Sequence, residues 1–379
     1  MRVDSESPLI ILHLLEPGGG GTMRHVLDLA SEQTRCGHQV HVIYSPLRLE
    51  PLFAPQIENL KNVTLHALPM RRAPHLSDIT NLFSLIEILR RTQPDILHAH
   101  STKAGMLARL ARLARIFVKT KIIYTPHALM TLDPETSAIK KFAYGCYEKL
   151  LSPLMHRMIV LSSYEYDHAI ALGIPRSKLV MGLNGIQNLP PADRKAIRRQ
   201  WLAAENDVIV GFVGRLCHQK HPELTIAAFA KAQTESPNLK LVMIGEGELR
   251  SRCETLAHDL KVENQIIWLG AADAKEFYAG MDMLLITSRY EGMAYTFIEA
   301  IHAGLPIVTT PVGGSDSCVI HHQTGLIVPA DINDLANAVL LLANDPTILD
   351  AMRFAARATA RHFTLAHSAE LHHQIYCGD

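Results

Sequence analysis

LIILHLLEPGGGGTMRHVLDLASEQTRCGHQVHVIY, residues 9–44, reads as strand, turn, helix and strand. Leu9–Leu15 is an apolar run of strand length. Pro17 and the four glycines Gly18 to Gly21 break it, and Met23, Val26, Leu27, Leu29 and Ala30 then recur at helical spacing until Gly37. Val40–Tyr44 is strand-like again. Strand, glycine-rich turn, helix and strand within about 35 residues make a βαβ unit, hence a parallel sheet with a right-handed crossover.

The pattern continues through Asp95-Ile96-Leu97-His98, Lys121–Tyr124 and Met158–Leu161. After the proline-bearing stretch Asn188–Asp193 a second series begins. Its strands are Val208–Val213, Leu241–Ile244, Ile266–Leu269, Met283–Thr287 and Ile307–Thr310, with a helix over Pro222–Ala232. Two such series predict an α/β protein with two Rossmann-like domains, 1–187 and 188–362, whose parallel sheets face a central cleft. Residues 363–379 are expected to form a last helix that packs back on the first domain.

Bulk properties exclude several classes. Of 379 residues, 48% are apolar and 20% charged, the balance of an ordinary globular chain. The six cysteines show no CxxC spacing, which argues against a zinc ribbon or a disulfide framework. No apolar run nears the roughly 20 residues that span a bilayer, and Leu9–Leu12, preceded by Asp4 and Glu6, is too short for a signal peptide. A cytoplasmic protein is expected, with any membrane contact at the inner face of the cytoplasmic membrane. The 37 basic and 37 acidic residues cancel overall, yet residues 1–187 carry a net +6 and residues 188–379 a net −6.

Four clusters carry candidate chemistry. Gly18 to Gly21 opens a helix, where free amides favour an anion, although a plain turn also fits. Gly214-Arg215-Leu216 with Lys220 follows a strand, as a diphosphate seat does, and as solvated surface cations also do. Ser288-Arg289-Tyr290-Glu291-Gly292-Met293-Ala294-Tyr295-Thr296-Phe297-Ile298-Glu299-Ala300 sets two carboxylates eight positions apart around a small-residue loop that becomes a helix near Ala294. Such a helix start attracts anions, with Glu299 placed for ribose hydroxyls and Glu291 for a sugar. Lastly, Lys103, Arg109, Arg112, Arg115, Lys119 and Lys121 lie in a stretch without acidic residues between Asp95 and Asp133, interleaved with Met106, Leu107, Leu110, Leu113, Ile116 and Phe117. That pattern suits either a membrane-surface helix or an ordinary domain helix with solvated arginines. Nucleic acid is disfavoured, because aromatics are only 6% and no stacking motif accompanies the basic residues. The pairs His98/His100, His321/His322 and His372/His373 lack cysteine or carboxylate neighbours at ligand spacing, so no metal site is assigned.

Downstream of Glu299 come Ala303-Gly304-Leu305-Pro306-Ile307-Val308, then Gly313-Gly314 and Thr324-Gly325-Leu326-Ile327-Val328. The run resembles the donor-nucleotide region of retaining glycosyltransferase family 4, whose fold is GT-B. Phe212-Val213-Gly214-Arg215-Leu216 with Lys220, Met243-Ile244-Gly245-Glu246-Gly247, Asn184-Gly185-Ile186, Gly20-Gly21 ahead of His25-Val26, Gly37-His38 and Tyr124-Thr125-Pro126-His127 are similar to further family motifs, in the family's order.

The resemblance implies a glycosyltransferase that takes a sugar from a nucleotide-diphosphate sugar, most simply a UDP-sugar, and passes it to a glycan or lipid-linked acceptor with retained configuration. Bacterial surface polysaccharide assembly (exopolysaccharide, capsule or O-antigen) is the implied setting. Arg215 and Lys220 would hold the diphosphate, Glu299 the ribose and Glu291 the sugar. Gly214, Gly245, Gly292, Met293, Ala294, Tyr295 and Thr296 would supply backbone contacts, and main chain near Leu269 would read the base. Gly20 and Gly21 would approach the phosphates and His127 the sugar. No cofactor is implied, and with no D-x-D motif no metal either. Lys103, Arg109, Arg112 and Arg115 are the candidate membrane or acceptor contacts. The family's usual residues are replaced at Met293-Ala294, Ser317 and His221. A GT-B sugar-nucleotide epimerase and an inactive sugar-nucleotide binder remain alternatives.

Overall fold

The computed structural model describes residues 8–114 and 119–378. The chain divides into two compact units. One runs to Gly185 and takes in the chain from Leu365 onward; the other is Ile186–Thr364. The division falls two residues from each boundary expected from sequence. Ile186 N–H donates to Phe363 O at 3.0 Å, and Ile186 bridges to Thr364, so this crossing pair belongs with the second unit.

The first unit holds a seven-stranded parallel sheet of β1 (Ile10–Leu15), β2 (Gln39–Tyr44), β3 (Val63–Ala67), β4 (Ile96–His100), β5 (Lys121–Thr125), β6 (Arg157–Val160) and β7 (Leu179–Met181). Their order is β3-β2-β1-β4-β5-β6-β7. Strands covered on both faces read as near-continuous apolar runs, which is why β1, β4, β5 and β6 stood out in the sequence. The edge strands β3 and β7 did not. Val63-Thr64-Leu65-His66-Ala67 is half exposed and mixes polar with apolar residues, and β7 is three residues long.

Met23, Val26, Leu27 and Ala30 of the helix Gly20–Arg35 pack with Leu15, Val40 and Val42 into one core. On this same helix lies the C-terminal helix Leu365–Cys377. It is tied down by Ser368 Oγ donating to Leu183 O (2.6 Å) and by Lys121 Nζ donating to the carbonyls of Tyr376 (3.2 Å) and Gly378 (2.9 Å). A cation on the last carbonyls of a helix also meets the negative end of its dipole.

The second unit is a six-stranded parallel sheet of β8 (Val208–Val213), β9 (Leu239–Ile244), β10 (Ile266–Gly270), β11 (Met283–Ile286), β12 (Ile307–Thr309) and β13 (Gly325–Ile327), ordered β10-β9-β8-β11-β12-β13. Asp282, just before β11, anchors its base. The carboxylate accepts from Ile209 N (2.7 Å), Arg194 (2.6 Å), Arg198 (3.1 Å) and Arg353 (2.5 Å).

The basic stretch is corrected by the structure. Lys103 and Arg109, expected on a surface-facing helix, lie inside the first unit on the helix Thr102–Ala111. Arg109 is fully buried: Nη1 donates to Glu148 Oε2 at 2.7 Å, Nε donates to Gly105 O at 2.8 Å, and the guanidinium lies 4.5 Å from the Tyr124 ring centroid. Tyr124 OH donates to the other Glu148 oxygen at 3.1 Å. Lys103 Nζ is paired with Asp78 and donates to Ala73 O at 2.9 Å. Arg112 is half-buried beside His156, and Arg115 lies outside the described residues. Carboxylates remote in sequence draw these cations inward, so Lys103 and Arg109 are not membrane contacts. Among the described residues no helix is long and apolar enough to cross a membrane.

Removing one partner of a buried ion pair strands the other charge, at a cost of about 3–5 kcal/mol. Arg109→Ala is therefore expected to lower unfolding stability by that order in urea titrations. The double variant Arg109→Met/Glu148→Leu is expected to recover most of it. A single-variant loss below about 1 kcal/mol contradicts the pairing.

Candidate functional site

In the second unit the strand order reverses between β8 and β11, so the loops leaving these strands diverge at the carboxyl edge of the sheet, where open α/β sheets bind ligands. The β8 loop carries Gly214, exposed Arg215 and half-buried Lys220; the β11 loop carries Ser288 to Ala294. Arg289 N–H donates to Gln219 O (2.8 Å), and Gln219 Nε2 donates to Tyr290 O (3.1 Å), which stitches the two loops together. Lys220 Nζ lies 2.6 Å from Glu291 Oε1, and Ser288 Oγ donates to the same oxygen at 2.7 Å. Glu291 is almost fully buried, so its carboxylate is oriented by side chains rather than by water.

Close backbone approach demands glycine at Gly245 and Gly313. A Cβ on Gly245 would sit 2.0 Å from Gly214 O, and one on Gly313 would sit 2.2 Å from Glu291 O. Gly245 N–H also donates to Gly270 O at 2.7 Å, which brings Leu269 beside the same edge. The helix Tyr295–Ala303 starts from Ala294, whose methyl group cannot cap it, so the positive end of the helix dipole lies at this edge. Gly292, Met293, Ala294 and Tyr295 are buried at this start, and Thr296 is partly exposed. Glu299 accepts a hydrogen bond from Tyr278 OH at 2.8 Å. Burial and the Glu299 carboxylate push the Tyr278 phenol well above its ordinary pKa, so it stays a donor. Lys220, Glu291, Gly245 and the start of the helix Tyr295–Ala303 thus lie together on one edge. Positive charge, an oriented carboxylate and a helix N-terminus together suit an anionic, hydroxyl-rich ligand.

Gly20, Gly21 and His127 belong to the first unit. Gly20 (φ 62°) and Gly21 are exposed at the start of the helix Gly20–Arg35. His127 and Ala128, after β5, both have left-handed backbones (φ 57° and 107°), an uncommon conformation for residues with a Cβ. Glu165 holds them there. Its Oε1 accepts from the amides of Ala128 and Leu129 (both 3.2 Å), and its Oε2 from Leu161 N (2.9 Å).

The sequence reading missed a cluster of buried histidines around His127. His13, His98, His100 and His372 are fully buried, His25 nearly so, and His127 half-buried. They come from separate segments and meet only because β1 pairs with β4 in the register His13↔His98 and Leu15↔His100. The signal in the sequence was His13 and His98/His100 on strands that end in candidate loops. Two triads, His13/His98/His100 and His25/His100/His127, bring ring nitrogens within 4.8 Å of one another, close enough to consider a metal. Neither triad contains a carboxylate or thiolate to offset a divalent charge. Both nitrogens of His13, His98 and His100 are already hydrogen-bonded to neighbours. We assign no metal to them.

Comparison with known proteins matches residues 193–361 to the family described as "Glycosyl transferases group 1" and residues 20–185 to "Glycosyl transferase 4-like domain". A GDP-mannose-dependent alpha-mannosyltransferase of Mycobacterium tuberculosis is 26% identical over 84% of this chain and 83% of its own length. An Escherichia coli UDP-Gal:alpha-D-GlcNAc-diphosphoundecaprenol alpha-1,3-galactosyltransferase is 26% identical over 72% of each chain. Among solved structures, Anabaena HepE in complex with UDP and glucose superposes with a TM-score of 0.83 over 97% of this chain and 99% of its own, at 20% identity.

Burial pushes the Glu165 carboxyl up to about 7 from the ordinary 4.5, outweighing the three amide N–H groups that favour its charged form. With the folded value above the unfolded one, its contribution to stability is full below about pH 4.5 and is lost as pH rises through about 7. Glu165→Gln is expected to flatten the fall in melting temperature across that window relative to the parent protein. An identical slope in the two proteins contradicts this account.

Proposed function

The chain belongs to the group 1 glycosyltransferases of GT-B type, and from that premise we propose that it moves a sugar from a UDP-sugar to a glycan or lipid-linked acceptor, with retention of configuration, in surface polysaccharide assembly. One observation carries this reading: Lys220, Glu291 and Ser288 form a bonded cluster beside the N-terminus of the helix Tyr295–Ala303. In this reading Arg215 and Lys220 take the diphosphate and stabilise charge on the leaving nucleoside diphosphate. Backbone amides from Gly292 to Thr296 share that charge, so cations and dipole do the work of a divalent ion and no cofactor is required. Glu291 orients sugar hydroxyls, and Glu299, oriented by Tyr278, takes the ribose. Main chain at Gly245 and Leu269 meets the nucleoside. Gly20 and Gly21 admit the phosphates, and His127 meets the donor sugar. Relatives are named for both GDP-mannose and UDP-galactose; we favour UDP because a structural neighbour over nearly the whole chain was crystallised with it.

A panel of UDP-, GDP- and ADP-sugars is expected to raise the melting temperature most with a UDP-sugar, and no shift with any nucleotide would sink the donor site. Glu291→Gln is expected to cut transfer by on the order of 10²–10³ while UDP still binds. Transfer in the presence of EDTA is expected to persist.

A membrane-proximal acceptor finds support on the helix Ala138–Leu151 rather than on Thr102–Ala111. Ile139, Phe142 and Leu150 are 82%, 75% and 76% exposed, and Lys140 and Lys149 are exposed beside them. An exposed apolar stripe flanked by lysines suits an anionic lipid surface. Co-sedimentation with phosphatidylglycerol vesicles is expected to fall when Ile139, Phe142 and Leu150 are changed to serine, and to be unaffected by Arg112→Ser. The reverse pattern would rule this surface out.

A further inference from the structure

Behind His127 runs an unbroken chain of hydrogen bonds within the first unit. His127 Nε2 is 3.0 Å from His100 Nδ1, and His100 Nε2 is 3.0 Å from His13 Nδ1. His13 Nε2 is 2.7 Å from Gln33 Oε1, and Gln33 Nε2 is 3.4 Å from Tyr376 OH. Tyr376 OH is in turn 2.7 Å from His98 Nδ1, whose Nε2 lies 2.8 Å from Thr125 Oγ1. The chain starts on the C-terminal helix and ends at the residue assigned to the donor sugar.

These rings are neutral near neutral pH. Burial pushes His13 down to about 4 and His127 to about 3, and holds His98 and His100 well below their ordinary value, with neighbouring imidazoles adding to the effect. A neutral imidazole has one N–H and one bare nitrogen. Each ring-to-ring contact therefore needs a donor on one side and an acceptor on the other, and the tautomer of one ring dictates the next. Only two arrangements satisfy the arm from Gln33 to His127, and they run in opposite directions.

The Gln33 amide separates them. In one arrangement Gln33 Oε1 accepts from His13 Nε2–H, and Gln33 Nε2 donates to Tyr376 OH, which donates to His98. The reverse requires Tyr376 O–H to donate to Gln33 across 3.4 Å, well beyond the 2.5–3.0 Å of an O–H···O bond. It would also force the amide to donate to a bare His13 nitrogen at 2.7 Å, a contact better suited to imidazole N–H and a carbonyl oxygen. With the first arrangement His13 carries Nε2–H, His100 carries Nε2–H, and His127 carries Nε2–H toward His100.

From this geometry we infer that Gln33, His13 and His100, locked by Tyr376, are positioning residues that hold His127 as its Nε2–H tautomer. Nδ1 is thereby left as the acceptor for a hydroxyl of the substrate. The tautomer assignment stands on the first unit alone; its effect on catalysis rests on the proposed contact of His127 with the donor sugar. The chain selects for a ligand hydroxyl that donates to His127 and against a carbonyl or ether at that place, since two acceptors repel.

The test uses the full-length protein labelled with ¹⁵N-histidine, with ring signals read by long-range ¹H–¹⁵N correlation at pH 7.5. His127 is identified by its loss in His127→Asn. The expected pattern is a protonated Nε2 and a bare Nδ1 on His127. Gln33→Met, which removes the amide, and Tyr376→Phe, which removes one oxygen and keeps the ring, are each expected to give a mixture of tautomers. Each is also expected to lower kcat by about tenfold, the order of one misaligned hydrogen bond, with little change in KM. Should Gln33→Met fail to fold, Tyr376→Phe supplies the same readout. A protonated Nδ1 on His127, a doubly protonated ring, stoichiometric metal in the purified protein, or a His127 signal unmoved by both variants would each overturn the inference. If the tautomers respond but His127→Asn transfers sugar at the parent rate, the positioning chain stands and the assignment of His127 to the sugar falls.

Discussion

Parallel strands joined by right-handed crossovers deliver the carboxyl ends of all strands in a sheet to the same edge, and the chemistry of this protein depends on that constraint. In the second unit the reversal between β8 and β11 parts two loops there, and these hold Lys220 and Glu291 2.6 Å apart. The same reversal between β1 and β4 in the first unit places the glycine-rich loop and the end of β4 side by side. The strands themselves are apolar and buried and contribute rigidity. The loops contribute the charges, the helix start and the glycines whose missing side chains let backbones meet.

Charge inside the fold is handled by pairing. Arg109 with Glu148, Lys103 with Asp78, and Asp282 with three arginines each bring together residues from distant segments. Such pairs add little net stability over well-packed apolar side chains, but losing one member is costly, so they make the packing specific. Lys103 with Asp78 and Arg109 with Glu148 cancel within the first half, so its net +6 is carried by other residues. What the surface does display, Ile139, Phe142 and Leu150 beside lysines, is apolar as much as it is basic.

How legible the protein was depended on how local each signal was. The central strands were readable because burial on both faces leaves continuous apolar runs, whereas the half-exposed β3 and the three-residue β7 leave none. The loop Ser288–Ala294 and the helix start at Tyr295 were readable because their residues are contiguous, and helix initiation and close backbone approach have local requirements. The histidine chain was not readable. His13 and His100 are 87 positions apart, and Gln33 and Tyr376 are 343 apart. No spacing rule connects such pairs until the strand order is known. Arg109 misled for the same reason, because its carboxylate partner sits 39 positions away on another helix.

By itself the sequence determined the two βα series, the linker between them and the family motifs in order, since strand runs, turns and glycine contacts are decided by neighbours along the chain. Only the tertiary structure decided which cations are buried, which helix shows an apolar face and how the histidine rings share their protons. Each of those is settled by a group that folding brings from far along the chain into a space without water, where an unmatched charge or N–H is too costly to leave.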